Sequence, residues 1–374
     1  MNILLAPDKF KGSMSALEVC NSIVKGLKKN NSNLNILSCP MADGGEGSLE
    51  IINHYLKLNP VQLTVNDPLF RPIKSTYYLS KKNAYIQMSS ASGLILLKKE
   101  ERNCMLTSSY GTGELILDSL KKGARSINLF IGGSATNDGG IGLASALGYR
   151  FFDSSGSLIN PIGKYLSSID KIDKSQLLFN PEEVEVKVVC DVNNPLYGKN
   201  GAAHVYASQK GASLIEIDQL NEGLINLASK LIQYDFPAIA KVPGAGAAGG
   251  VGGGAIAFLN AKLASGIQTF IDLTQLETLI KECDLVITGE GKLDSQTLQG
   301  KVVSGVCSLA KKHKKEIIGI CGEAEKNVSN KLGFKKVYTI LDRTNSVKEA
   351  IEKTDEYLAD ICIEILANEF KNKF

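Results

Sequence analysis

Asp284-Leu-Val-Ile-Thr-Gly-Glu-Gly-Lys-Leu-Asp294 is a short apolar run that ends abruptly in glycines and acids. The run shows no polar alternation, which marks a strand buried on both faces, and its polar end predicts a turn at the carboxyl terminus. The pattern recurs at both chain ends. Asn2-Ile-Leu-Leu-Ala6 closes on Pro7-Asp8, and Asn35-Ile-Leu-Ser-Cys39 runs into Pro40-Met-Ala-Asp-Gly-Gly-Glu-Gly47. Glu316-Ile-Ile-Gly-Ile-Cys321 meets Gly322-Glu323, and Val337-Tyr-Thr-Ile-Leu341 adds a fifth strand. Helical patterns lie between them. Ser15-x-x-Glu18 is a capping box ahead of a face of Leu17, Ile23, Val24 and Leu27. Further helices are expected over Val302–Lys312 and from about Val347 to Ala367. Short apolar strands alternating with helices predict parallel βαβ units, hence a doubly wound α/β sheet built from both chain ends.

The middle of the chain reads differently. It holds alternating strands (Thr76–Leu79, Ala84–Met88, Glu185–Val189), polar loops, and glycine clusters at 132–142 and 244–254. There is no internal repeat and no low-complexity linker. The chain's 374 residues exceed what one core usually serves. The expected fold class is therefore α/β with two domains: residues 1–66 and 283–374 form one, and residues 67–282 are inserted into it. Ligands of open α/β sheets bind beyond the carboxyl ends of the strands. Acids and glycines after four such strands predict an acidic, polar rim suited to a cation and phosphates.

Composition excludes several classes. A net charge of +3 and the absence of a polybasic run give no footprint for nucleic acid. The eight Cys show no C-x-x-C and sit partly in apolar runs, as Cys190 does after Val-Lys-Val-Val, which reads as buried thiols in a reducing compartment. Three His spread over positions 54, 204 and 313 argue against a zinc site. Asp8 and Lys9 come too early for a signal peptide. The uncharged stretch Val242–Ala261 is mostly Gly and Ala, without the Leu/Ile/Val/Phe continuity of a membrane span. A cytoplasmic protein with no membrane partner is expected.

Gly132-Gly-Ser-Ala-Thr-Asn-Asp-Gly-Gly140 follows the strand-like Ser126–Ile131 and precedes the helix-like Ile141–Leu147. Such a loop offers backbone N–H groups and a helix N-terminus to an anion. Ser134, Thr136 and Asn137 can bond phosphate oxygens, and Asp138 can hold Mg2+ or a substrate hydroxyl. A tight turn with capping side chains is the alternative. Lys9, Lys11 and Ser13 follow the first strand, where lysines near a helix N-terminus suggest a waiting anion. Asp191-Val-Asn-Asn-Pro195 offers another carboxylate, or an Asx turn. Pro243-Gly-Ala-Gly-Ala-Ala-Gly249 contains G-x-G-x-x-G, followed by a helix-like stretch and Thr269-Phe-Ile-Asp272, and so imitates a dinucleotide fingerprint behind a poor strand. No Walker A motif, protein-kinase signature or Ser/His elbow is present.

Read together, these segments resemble the bacterial glycerate kinase family of the glycerate and glucarate catabolism type. The resemblance runs through Ala6-Pro-Asp-Lys-Phe-Lys-Gly-Ser13, Pro40–Gly47, Tyr110-Gly-Thr-Gly-Glu-Leu115 and Gly132–Gly140. It continues in Cys190-Asp-Val-Asn-Asn-Pro-Leu196, Gln209-Lys-Gly211, Pro243–Gly250 and Thr288-Gly-Glu-Gly-Lys-Leu-Asp294 with Gly300-Lys301. Departures fall at Lys9, Gln87, Cys104 and Lys292; Gln87 cannot act as a base, and Lys292 lacks a guanidinium's planar fork. The resemblance implies ATP-dependent phosphorylation of D-glycerate, with the 2-hydroxyl favoured. It also implies a flavodoxin-like outer domain, a restriction-endonuclease-like middle domain, and an active site in the cleft between them. A homodimer is left open.

On that reading Asp191 is the expected base, with Asp43 and Lys11 also catalytic. Ser13, Gly132, Gly133, Ser134, Thr136, Asn137, Asp138, Lys292 and Lys301 would bind substrate or phosphate. Asp43, Asp138 and Asp294 are the expected Mg2+ ligands. Two rivals stay open here: an NAD-dependent hydroxy-acid dehydrogenase using the Gly244–Gly249 loop, and a non-catalytic ligand sensor.

Overall fold

A computed structural model describes residues 1–30, 33–299 and 301–369. The protein is mixed α/β and divides into two compact units, Met1–Asp43 with Gly266–Phe374, and Gly44–Ser265.

In the first unit five strands run parallel: Asn2–Leu5, Asn35–Ser38, Leu285–Thr288, Glu316–Cys321 and Lys336–Thr339. Their order across the sheet, in chain numbering, is 2-1-3-4-5. Leu285–Thr288 is buried at every position, as its unalternating apolar run predicts. Ile3, Leu5, Leu285, Ile287, Ile318 and Ile320 share a core with the helices Ala16–Asn30 and Thr354–Glu369. Leu4 and Val286 alternate to the opposite face, which the helices Leu276–Glu282 and Val302–Lys312 cover. Burying each Leu or Ile side chain contributes about 1.5–3 kcal/mol. Helix 16–30 and helix 354–369 approach so closely at Gly26 that an added Cβ would lie 2.9 Å from both Cβ and Sγ of Cys362. The capping box forms as read, Ser15 N–H donating to Glu18 Oε2 at 2.8 Å. The single helix expected from about Val347 is instead two, Val347–Glu352 and Thr354–Glu369. Thr354 sits at the break with its hydroxyl donating back to the Ala350 carbonyl (2.7 Å), a bond that bends helices.

In the second unit six strands are ordered Lys262–Ala264, Glu185–Val189, Ser126–Phe130, Asn83–Gln87, Pro72–Ser80 and Asn59–Asn66. The first four are mutually parallel, and the last two complete an antiparallel edge. The strand 59–66 is therefore in this sheet, whereas the pattern reading put it with the outer domain. Its partner is local. Asp67 accepts the N–H groups of Leu69 and Arg71 (2.8 and 2.9 Å) and closes a hairpin onto Pro72–Ser80. Likewise residues 266–282, read as part of the insertion, form two helices that pack in the first unit.

All eight cysteines are free thiols, Cys190 half-buried and the others buried. Among the described residues no helix is long and apolar enough to cross a membrane.

Candidate active site

The carboxyl ends of the strands carry the chemistry in each unit. In the five-stranded sheet the order reverses between Asn2–Leu5 and Leu285–Thr288, the position where such sheets bind ligands. The chains leaving these two strands stay together, Asp8 N–H donating to the Gly289 carbonyl at 2.9 Å. Asp8 and Glu290 thus stand at the reversal, and Met41 N–H donates to the Pro7 carbonyl (3.0 Å), bringing Asp43 to the same rim. Asp8 is buried. Burial first, then Asp43 and Glu290, push its carboxyl up to about 7, although Lys9 and its own N–H pull down. Burial likewise pushes Glu290 up, against the pull of the Thr297 hydroxyl (2.7 Å) and Lys301, with Asp294 and Asp43 adding to the rise. These acids repel one another, and a divalent cation would relieve that repulsion.

The other expected residues of this unit scatter. Asp294 is half-buried and its Oδ1 accepts Gln296 N–H at 2.8 Å. Lys301 reaches Gln296 Oε1 at 3.4 Å, and Gly300 lies outside the described residues. Lys292 is exposed and paired with Glu323 at 3.0 Å. Lys11 is exposed, beside the backbone of Gly291. Ser13 turns away from the rim: its hydroxyl donates to the Ile351 carbonyl at 2.9 Å and meets Thr354, so it ties down the C-terminal helices.

In the six-stranded sheet, Ser126–Phe130 leads into Gly132–Gly140, and the neighbouring Glu185–Val189 leads into Asp191. Asp191 Oδ1 accepts the Ser265 hydroxyl at 3.0 Å, and Oδ2 is buried. On the other side Gln87 donates to Ser89 Oγ at 2.8 Å, and Ser89 lies against Gly133. Gln87, Gly132–Ser134, Asp191 and Ser265 thus follow the ends of four adjacent parallel strands.

The glycine loop differs from expectation in how its amides are spent. The helix after it, Ile141–Ala146, is short, and the N–H groups of Gly140 and Gly142 donate to Asp138 at 3.1 and 3.3 Å. Ser109 adds its N–H and hydroxyl to Asp138 Oδ2, both at 2.7 Å. Asp138 is fully buried, and burial pushes its carboxyl up against those four donors. The loop's own carboxylate occupies the place expected for an external anion. Thr136 and Asn137 are also fully buried, yet Thr136 Oγ1 and both amide atoms of Asn137 have no hydrogen-bond partner. Unpaired buried groups typically cost 1–3 kcal/mol each. Gly133 is exposed, Gly132 is half-buried, and Ser134 is 7% exposed, so these three residues are what the loop turns outward.

The Gly244–Gly249 segment is not a dinucleotide loop. No strand precedes it, and Thr269–Asp272 lies in the helix Gly266–Thr274. A Cβ on Gly249 (φ +71°) would collide with the Thr136 carbonyl, and one on Gly246 with that of Pro195. Gly249 accepts Gly139 N–H at 3.0 Å. These glycines let two loops of one unit pack backbone to backbone.

Among the described residues no three His, Cys, Asp or Glu side chains form a ready metal cage. Pattern reading placed Asp8 and Glu290 in an acidic rim without an individual role, and assigned none to Ser109, Ser265 or Lys210. Asp8 and Glu290 were legible as acids closing apolar strands, and Lys210 lay inside the Gln209-Lys-Gly211 motif. Ser109 and Ser265 carried no signal.

Known proteins are similar to this chain over nearly its whole length. A family model described as the glycerate kinase family matches residues 3–368. The chain is 41% identical to a glycerate kinase of Halalkalibacterium halodurans, over 95% of each protein. It is 41% identical to the glycerate 2-kinase of Escherichia coli K12, over 94% of this chain and 93% of that one. The crystal structure of a protein named putative glycerate kinase 2 from Salmonella typhimurium LT2 is similar at 38% identity and a TM-score of 0.82, covering 99% of each chain. A family match over nearly the whole length, with motif-bearing loops at the strand ends where ligands bind, means that the chain belongs to the glycerate kinase family.

Proposed function

We propose that the protein transfers the γ-phosphoryl group of ATP to a hydroxyl of D-glycerate, releasing ADP. The relatives named glycerate kinase carry the activity, and the one named glycerate 2-kinase favours the 2-hydroxyl. The observation that supports this site is the parallel pairing of the strands that lead into Gly132–Ser134 and into Asp191.

Phosphoryl transfer demands in-line positioning and charge neutralisation more than covalent chemistry from the protein. Asp191, held by Ser265, accepts the proton of the attacking hydroxyl as its oxygen bonds to phosphorus. In the six-stranded unit Gly132, Gly133 and Ser134 meet anionic oxygens; in the five-stranded unit Lys11, Lys292 and Lys301 are the lysines proposed to offset phosphate charge. Asp138 orders the loop from within. Mg2+ fits the mutually repelling Asp8, Asp43 and Glu290, with Asp294 nearby in the same unit. It ordinarily takes one or two carboxylates alongside phosphates, so no three-acid cage is needed. When bound, the ion supplies charge neutralisation on the transferring phosphates. The 2-1-3-4-5 parallel order supports reading the five-stranded unit as flavodoxin-like.

A coupled assay of ADP release with MgATP and D-glycerate, L-glycerate or tartronate tests the reading, with phosphorus NMR of the product assigning the hydroxyl. Turnover only with D-glycerate is expected. No acid-dependent ADP release from folded protein would sink it.

A further inference from the structure

Lys210 is a lysine with almost no access to solvent, 4% exposed, at the end of the turn Ser208–Lys210. Its ammonium donates to Ser134 Oγ and to the Thr136 carbonyl, both at 2.8 Å. A buried ammonium is costly unless its donors and charge are met. The two loop oxygens meet its donors, and Asp138, buried in the same loop, attracts its charge.

The direction of these bonds matters. A lysine ammonium has donors only, whereas a serine hydroxyl has one proton and two lone pairs. With a lone pair of Ser134 taken by Lys210, the serine's own proton points away from the ammonium and is left for another acceptor. Among the described residues no protein acceptor takes it. Ser134 sits next to exposed Gly133, while Thr136 and Asn137 behind it hold unpartnered polar atoms.

We propose that Lys210 and Ser134 form a relay that presents the charge of a buried ammonium, through the serine O–H, to an anionic oxygen of the substrate acid or of the nucleotide. Lys210 is a positioning residue: it never touches the ligand, and it fixes both the orientation of the Ser134 hydroxyl and the backbone of Thr136. A hydrogen bond polarised by an adjacent full charge is stronger than a neutral one, and here the charge itself stays dry.

The proposal rests on the kinase reading, so wild-type turnover with MgATP and D-glycerate is measured first; its absence breaks that reading. Ser134→Ala, Lys210→Met and the double variant are then titrated separately with D-glycerate and with ATP. Removing a charge-assisted bond predicts a rise in KM of about 10–100-fold for one of the two ligands, with the other KM within a few-fold. That split identifies the anion. Acting in series, the double variant should be no worse than the worse single variant by more than about twofold. Isothermal titration with D-glycerate alone and ADP alone should repeat the same one-sided loss. If Lys210→Met fails to fold, Ser134→Ala still decides, because the ammonium keeps its bond to Thr136. Wild-type KM values in Ser134→Ala, equal rises for both ligands, or fully additive losses would each overturn the relay.

Discussion

The rim of the five-stranded sheet and the glycine loop of the six-stranded sheet begin from the same local plan, an apolar parallel strand that ends in glycine and acid. They resolve their charges in opposite ways. At the rim, burial and the charge of Asp43 raise the proton affinity of both Asp8 and Glu290, with Lys9 and Lys301 opposing the rise. In the loop, Asp138 takes four donors from the protein and Lys210 answers its charge from inside. One region gathers carboxylates whose charges oppose one another. The other answers its carboxylate from within, leaves only Thr136 and Asn137 with unpartnered polar atoms, and exposes Gly133. Similar motifs therefore do not imply similar occupancy, because what decides is whether the surrounding fold supplies the counter-charges.

Experiments on both regions would break or sharpen this contrast. The largest effect is expected at Asp191, where Asp191→Asn should lower kcat by about 10²–10⁴-fold at normal expression and thermal stability. A loss of only a few-fold in the ADP-release assay would remove it as the base. Next, Asp43→Asn should raise the Mg2+ concentration for half-maximal rate by about 10–100-fold, whereas Asp138→Asn should not shift it. A metal shift from Asp138→Asn would contradict a carboxylate satisfied from within. Asp138→Asn should instead cost about 2–4 kcal/mol in urea unfolding, since it leaves donors and the Lys210 charge unanswered.

The smallest effect concerns pH. The Asp8 carboxyl is raised in the folded protein from an ordinary value near 4 to about 7, so the native state holds the extra proton in that window. Stability is then highest below the unfolded value and falls as pH rises through about 7. Asp8→Asn should flatten this fall and stabilise the protein by about 1–3 kcal/mol at pH 8, read from urea midpoints at several pH values. Mg2+ should stabilise the wild type more at pH 8 than at pH 5.5. An unchanged slope in Asp8→Asn would mean that the rim acids do not interact as described. In the loop the shift is downward instead. Burial pulls the Lys210 ammonium down to about 8, with Cys104 and Asp138 opposing, so KM for the relayed anion should climb above that pH in the wild type and stay flat in Lys210→Met.

The segments at both chain ends were legible because strands buried on two faces must be apolar throughout and must stop at polar turns. Asn2–Leu5, Leu285–Thr288 and Glu316–Cys321 satisfy that requirement, and the capping box at Ser15 declares its helix by local bonding alone. The Gly244–Gly249 motif misled because glycine spacing records only that backbone must come close. Whether phosphate or another loop fills the space is not encoded locally, and here the Thr136 and Pro195 carbonyls fill it. Ser13 misled for a related reason, since a hydroxyl near a helix start serves a packing contact as readily as an anion.

By itself the sequence determined the α/β class, the parallel strands of the outer sheet, the family and the loops that bear its motifs. These follow from periodicity and from motifs written in contiguous residues. Tertiary structure alone decided that strand 59–66 belongs to the six-stranded sheet, that Asp8 and Glu290 meet at the reversal of strand order, and that Lys210 lies under Ser134. Those pairings span up to 282 residues, as in Asp8 with Glu290, and depend on burial, which sets the cost of a charge only once the whole fold has excluded water.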